Sequence, residues 1–374
     1  MRLRRRLTAG FAVLAAILVA ACTAAPPQPA PSQVLSGYER DTGNSVRRDC
    51  GYSSPLPGKP GWSIWLFCDT VVTRAGGKQD VRLILGTGTA ADGPYQAGRA
   101  PSSLTEVPTP PTPLTSARTA APEPFLPAPN GLQLPGSPLP CTGPGAYAAA
   151  WISGVTRVPS GTLLITFDDY CVTAPGDTST AEGFGLATYD PASNQLGPVT
   201  PVFRSGFGLP LPQQQVLGSP VTGADGYLYL FGFGSGQVYV ARTVAAPAFW
   251  GNPFTYQYWA GDGWSGQPAA ASLIPAGGVL GISVGDYAAD GHGLVMIEQT
   301  SLGGGFQAWQ ASSPAGPWRR LLSGRVPCTR GSETGTAGLC RALIGHPELS
   351  TRSRLLISYY DPGDSHVDVA AYPW

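Results

Sequence analysis

The chain has 374 residues, of which 50 are Gly and 39 Pro, together about 24% and roughly twice the share usual in soluble proteins. Charged residues make up 12% and hydrophobic ones 43%, enough for a sizeable core and too apolar for extended disorder; long helices and coiled coils are excluded because they need charged exposed faces and few breakers. A turn-rich all-β fold remains, and a formal charge of zero leaves no electrostatic footprint for nucleic acid.

Residues 1–22 place Arg2, Arg4, Arg5 and Arg6 before an apolar run from Leu7 to Ala21, about 15 residues long. That is short for a bilayer span and suits the apolar region of a signal peptide. The run ends Val19-Ala20-Ala21-Cys22, which looks like a bacterial lipobox. Residues 1–21 are therefore expected to be a lipoprotein signal peptide, with Cys22 lipidated; an ordinary signal peptide followed by a coincidental Cys is the alternative. Residues 22–43 contain TAAPPQPAPSQ and read as a Pro-rich tether. Removing the four Arg leaves 23 − 4 = 19 basic against 23 acidic residues, a mature charge of −4. The expectation is an extracytoplasmic monomer, anchored to the cell membrane by lipid alone.

Setting Cys22 aside leaves six cysteines. Six allow 15 connectivities; sequential pairing of Cys50 with Cys68, Cys141 with Cys171 and Cys328 with Cys340 is preferred, each bond worth about 3 kcal/mol through closure of a short loop. No C-x-x-C occurs and no His stands at ligand spacing from a Cys, which argues against zinc or redox chemistry. No metal ligand set and no cofactor is implied by these residues.

In chain order, five pairs of β-rich runs follow: Trp62–Phe67 with Val81–Leu85, Thr162–Phe167 with Phe184–Tyr189, Tyr227–Phe231 with Gln237–Ala241, Gly293–Ile297 with Gln307–Ala311, and Leu355–Tyr359 with Val367–Tyr372. Each pair reads as the middle and outer strands of an antiparallel sheet, recurring about every 65 residues. Such thin units bury both faces only by stacking, so a five-bladed β-propeller of four-stranded antiparallel blades is expected over residues 44–374. Ala224-Asp225-Gly226 and Pro159-Ser160-Gly161 sit where hairpin turns need a positive φ. Residues 98–140, rich in Pro, Thr and Ser, read as a long insertion between the first two blades.

Arg48-Asp49-Cys50-Gly51-Tyr52-Ser53, with Ile64-Trp65-Leu66-Phe67-Cys68-Asp69-Thr70 behind it, resembles the RDGGYS…LWLFGDT signature of a secreted bacterial propeller family. That family, formerly of unknown function, includes endo-D-arabinanases. Tyr256-Gln257-Tyr258-Trp259, Gly316-Pro317-Trp318 and His346-Pro347-Glu348-Leu349-Ser350 look like its later motifs. More broadly the chain is similar to arabinanase-type propellers that hydrolyse furanosides. Two family glycines are replaced by Cys50 and Cys68, and the coincidence implies a disulfide bracing the backbone beside Asp49 and Asp69.

Glycoside hydrolysis commonly uses two carboxyl groups across the scissile bond. The resemblance implies that Asp49 and Asp69 are the catalytic or substrate-holding pair; alternatively Asp69 caps a turn and Asp49 stabilises a loop. Arabinanase-type propellers take a general acid Glu from a middle blade, yet residues 210–264 contain no Glu. Glu348 is therefore the further catalytic candidate and His346 a substrate-binding one, with interblade hydrogen bonding as their structural alternative. Asp168 and Asp169 could hold sugar hydroxyls, and Tyr147, Trp151 and Trp259 could serve as stacking platforms. No G-x-S-x-G, P-loop or dinucleotide motif is present.

The expected function is hydrolysis of an arabinan-like or other cell-envelope polysaccharide, with glycan- or protein-binding without catalysis as the alternative. Arg outnumbers Lys by 21 to 2, which suits a GC-rich genome and an arabinan-bearing actinobacterial envelope.

Overall fold

A computed structural model describes residues 33–34, 44–74, 81–109, 122–126, 141, 146–173, 178–204, 216–267, 271–275, 277–329, 339–363 and 365–374. The expected signal peptide and Cys22 lie outside the described residues. The first strand, β1 (Gln33–Val34), belongs to the last blade. Blade 1 comprises β2 (Asn44–Pro55), β3 (Trp62–Arg74), β4 (Val81–Leu85), β5 (Thr89–Pro94) and β6 (Thr105–Glu106). Blade 2 holds β7 (Tyr147–Arg157), β8 (Leu163–Thr173), β9 (Thr178–Asp190), β10 (Gln195–Leu196) and β11 (Thr200–Arg204). In blade 3, β12 (Val216–Thr222), β13 (Tyr227–Gly234), β14 (Gln237–Val244), β15 (Gln257–Trp259) and β16 (Trp264–Ser265) follow in order. Blade 4 is β17 (Gly281–Asp286), β18 (Leu294–Gln299), β19 (Gly305–Ala311) and β20 (Arg319–Arg325); blade 5 is β21 (Arg341–Gly345), β22 (Arg354–Asp361) and β23 (His366–Pro373), with β1 outside β23.

Strand pairing within the blades is antiparallel throughout. The first strands β2, β7, β12, β17 and β21 each neighbour the next, and β21 neighbours β2. The chain is thus a five-bladed β-propeller, almost without helix among the described residues. Ring closure uses both ends of the described chain, because Gln33 and Val34 pair with Val369 and Asp368. The stretch expected to be a tether therefore includes one short strand of the propeller.

The core is five separate layers, one between each pair of neighbouring blades. In β13, Leu228 and Leu230 pack with blade 2 residues such as Leu164 and Leu186, while Tyr229 and Phe231 pack with Ile282 and Met296 of blade 4. The same alternation sends Ile64 and Leu66 of β3 towards blade 2 and Trp65 and Phe67 towards blade 5. Successive side chains on a strand point to opposite faces, so a strand covered on both sides must be apolar at every position. This is why the second strands read as unbroken hydrophobic runs.

In blades 2 to 5 the pairs of runs prove to be the second and third strands, whereas in blade 1 the third strand is β5 and the expected run Val81–Leu85 lies off the ladder; a further edge strand lies outside the third strand of each blade. Those edges escape a search for apolar runs because they are short or polar: β6 and β10 have two residues each, and β20 reads RRLLSGR with no buried residue. In blade 1, Trp62–Phe67 pairs with β5, whereas β4 pairs with the far part of β3, Thr70–Arg74. The described part of the 98–140 insertion is packed. Phe125 and Leu126, each 1% exposed, enter the layer between blades 1 and 2, and the Phe125 N–H donates to the Gly88 carbonyl at 2.9 Å.

The three disulfides join Cys50 to Cys68, Cys141 to Cys171 and Cys328 to Cys340. The turn glycines Gly161 and Gly226 have φ of +86° and +82°. Blades 2 and 3 approach so closely that a Cβ on Gly154 would lie 2.2 Å from Pro220 Cδ. Gly154→Ala is therefore expected to cost about 1–3 kcal/mol and lower the thermal midpoint. Gly266→Ala, with nothing within 4 Å of its added Cβ, leaves the midpoint unchanged; equal midpoints for both variants would show that the approach is not tight.

Candidate functional site

The register between β2 and β3 slips on either side of Cys50: Arg48 pairs with Thr70, Cys50 with Phe67 and Tyr52 with Leu66. Two compensating bulges result, the first placing Asp49 opposite Cys68 and Asp69. The backbone turns left-handed at Cys50 (φ 65°) and Gly51 (φ 108°). Glycine takes that conformation freely, whereas a cysteine does so at a cost of roughly 1–3 kcal/mol. The disulfide to Cys68 ties the turn down. Arg48, just before it, is buried in an ion pair with Glu106 of β6 at 2.6 Å and lies over the Phe67 ring.

Side chains from three blades meet here. Asp69 accepts two hydrogen bonds from β7: Tyr147 Oη donates to Oδ2 at 2.5 Å and Trp151 Nε1 to Oδ1 at 2.8 Å. Asp49 Oδ2 accepts from Arg341 of β21 twice, from Nε at 3.1 Å and from Nη2 at 2.9 Å. The Arg341 guanidinium rests 4.0 Å from the centre of the Tyr360 ring. Asp49 Oδ1 has no hydrogen-bond partner among the described residues. Solvent reaches the group: the Arg341 side chain is 35% exposed and that of Asp49 13%.

The two carboxyl groups are electrostatically unequal. Burial, followed by the negative charge of Asp49, pushes the Asp69 carboxyl up to about 7 against the lowering influence of Tyr147, Trp151 and Arg341. Tyr147 is likewise raised, by burial and then by Asp69. Burial lowers the Arg341 pKa, but Asp49 and its other partners outweigh that, so the net shift favours the charged guanidinium. A carboxyl raised in this way can hold a proton to give to a leaving group.

Tyr147 and Trp151, expected as stacking platforms, thus serve here as donors to Asp69. Arg341 was not singled out from the sequence; its one local signal is that it follows the disulfide cysteine Cys340. Asp168 and Asp169 of β8 are both buried. Asp168 accepts from the Leu217 N–H at 3.4 Å, bracing blade 2 against blade 3, and burial raises its pKa well above the ordinary carboxyl range. Trp259 stands on β15, in the outer part of blade 3, with its ring edge against Trp264.

His346 and Glu348 are not with the Asp49–Asp69 pair. They follow β21, whereas Arg341 begins it, and they bond to Ser53 beyond the bulge in β2. Ser53 Oγ donates to Glu348 Oε1 and lies 2.6 Å from His346 Nδ1, which ties blade 1 to blade 5. The atoms of Asp49, Cys50 and Cys68 lie within 4.8 Å of one another, but both sulfurs are spent in the disulfide and offer no thiolate to a metal.

No protein-family model and no curated protein sequence matches this chain. Among solved structures, a protein of Bacteroides ovatus assigned as a hydrolase superposes with a TM-score of 0.59 at 16% identity, over 87% of this chain and 85% of that one. A xylan β-1,4-xylosidase from Bacillus halodurans gives 0.45 at 10% identity, over 88% and 53%. A GH43_1 enzyme from Xanthomonas citri gives 0.44 at 10%, over 91% and 89%. At such identities the likeness is one of fold alone.

The Asp69 shift has a sign that can be measured. Its folded pKa of about 7 exceeds the unfolded value of about 3.9, so its contribution to stability is fully present below about pH 4 and is lost as pH rises towards 7. Urea midpoints should show this decline in the native protein and a flatter profile in Asp69→Asn. Parallel profiles would mean that Asp69 is ionised across the range.

Proposed function

We propose that the chain is a lipid-anchored, extracytoplasmic glycoside hydrolase acting on an arabinan-like or other cell-envelope polysaccharide. The observation that carries this reading is the convergence of Asp49 and Asp69 in a solvent-reachable site, one ion-paired with Arg341 and the other holding its proton to about neutral pH. In this reading Asp69 is the general acid, giving its proton to the glycosidic oxygen as the bond to the anomeric carbon breaks. Asp49 either adds to the anomeric carbon or takes a proton from the attacking water, a role that requires its buried, unpartnered Oδ1 to become accessible when substrate binds. Arg341 fixes the other oxygen. The first-blade motif, the propeller fold and the lipobox-like Cys22 support the same assignment.

A second reading, glycan binding without catalysis, is favoured by one observation: Glu348, the replacement for the missing middle-blade Glu, is bonded to Ser53 and not grouped with the aspartates. One assay separates the two. Incubated with arabinogalactan and other envelope glycans, the mature domain should release oligosaccharides, and Asp49→Asn and Asp69→Asn should each lower the rate by about 10²–10⁴. kcat/KM should fall as pH rises through about 7, as Asp69 loses its proton. Binding without any release, unchanged in both variants, would leave the non-catalytic reading standing.

A further inference from the structure

The axis opens at its other end as well. The last residues of all five first strands, together with the turn after β21, surround a cavity of about 630 Å³, within the range of small-molecule sites. Tyr147 and Arg341 begin β7 and β21 and Asp49 precedes the lining residues of β2, so the aspartate pair lies towards the starts of these strands and the cavity around their ends.

Glu348 lines this cavity. Its Oε1 accepts from Ser53, and its Oε2 is buried without a hydrogen-bond partner among the described residues. The Thr222 and Tyr287 hydroxyls, from blades 3 and 4, also belong to the lining and are also buried without a partner. Ser53 Oγ also lies 2.6 Å from His346 Nδ1, so the carboxyl, hydroxyl and imidazole form one hydrogen-bonded chain. Behind Glu348 the imidazole is fully buried and 4.7 Å from the Trp65 ring, and burial pushes its pKa down to about 3. Glu348 is thus backed by neutral groups, and burial raises its own pKa.

The remaining ionisable groups around the cavity do not form a charged receptor. Asp286 accepts from the Ala288 N–H, Asp290 sits near His292 and Arg352, and Arg157 is exposed at the rim. Tyr95 lies near Glu348. No cationic cluster is present among the described lining residues, as a phosphate or carboxylate ligand would require. What the walls offer is hydroxyl groups, the Glu348 carboxyl, and apolar faces such as Pro220 and Pro347.

We propose that this cavity is a second ligand site, taking the end of a neutral polyhydroxylated chain, an oligosaccharide, whose hydroxyls bond to Glu348, Thr222 and Tyr287. The site stands independently of hydrolysis at Asp49 and Asp69, and an occupant at one end leaves the other free.

The test uses the Asp49→Asn/Asp69→Asn double variant, which cannot turn ligand over, titrated calorimetrically with neutral arabino- and galacto-tetrasaccharides. Binding of at least one is expected. Ala289→Trp, which fills the mouth from an exposed position, should weaken it by more than tenfold, and Thr222→Val by about tenfold. Glu348→Gln keeps the shape and an acceptor oxygen and should hold affinity within about threefold. In the otherwise native chain, Ala289→Trp should leave polysaccharide release unchanged. Absence of binding, or binding indifferent to Ala289→Trp, overturns the proposal whatever the hydrolysis assay gives. Affinity that strengthens as pH rises also overturns it, because it would mark a cation held by ionised Glu348.

Discussion

Everything in this propeller depends on strands that are buried on both faces. Each second strand supplies alternate side chains to two different layers, as Leu228 and Leu230 do on one side of β13 and Tyr229 and Phe231 on the other. Full burial of one such side chain stabilises by roughly 1.5–3 kcal/mol, and no blade can realise both halves alone. The blades are therefore obligate neighbours. Where the layers are thinnest, at Gly154 against Pro220 and Gly218 against Ser153, backbone replaces side chain as the packing surface.

Against that regular background, the aspartate site is a local departure. A regular β2–β3 ladder would continue the Arg48–Thr70 pair as Asp49 with Asp69 and Cys50 with Cys68. The bulges displace it, turn the chain left-handed at Cys50 and Gly51, and crowd Asp49 against its neighbours on β3. The crowding has an electrostatic result: with burial, it keeps a proton on Asp69 well above the usual carboxyl range. Tyr147 and Arg341, from the blades on either side, then fix one carboxyl each. Strain in the first blade and support from the other two together make a pair of identical residue types chemically unequal.

The sequence disclosed what local pattern can encode. Apolar runs marked every second strand and the third strand of blades 2 to 5, Gly226 and Gly161 marked turns, and neighbouring cysteines paired as their spacing suggested. Edge strands such as β20 were illegible because an exposed strand has no apolar signature. The partners of the aspartates were illegible for a different reason. Arg341 lies 292 residues from Asp49, and only the closure of the ring brings them together. His346 and Glu348 were visible as chemistry-bearing residues, but which end of the axis they occupy depends on strand direction and on the bond to Ser53, neither of which a motif records.

The sharing of blade 5 between β1 and β23 makes assembly a matter of timing. The final blade cannot form until the chain has been synthesised through β23, and its outermost strand, made near the start, must wait for a partner made at the end. Contacts of such high sequence separation form slowly. Arg341 belongs to that same blade, so the ion pair with Asp49 arrives only with closure. An unfinished or nicked chain could contain both aspartates, correctly paired strands in four blades and an oxidised Cys50–Cys68 bond, and still lack the cation that orients Asp49.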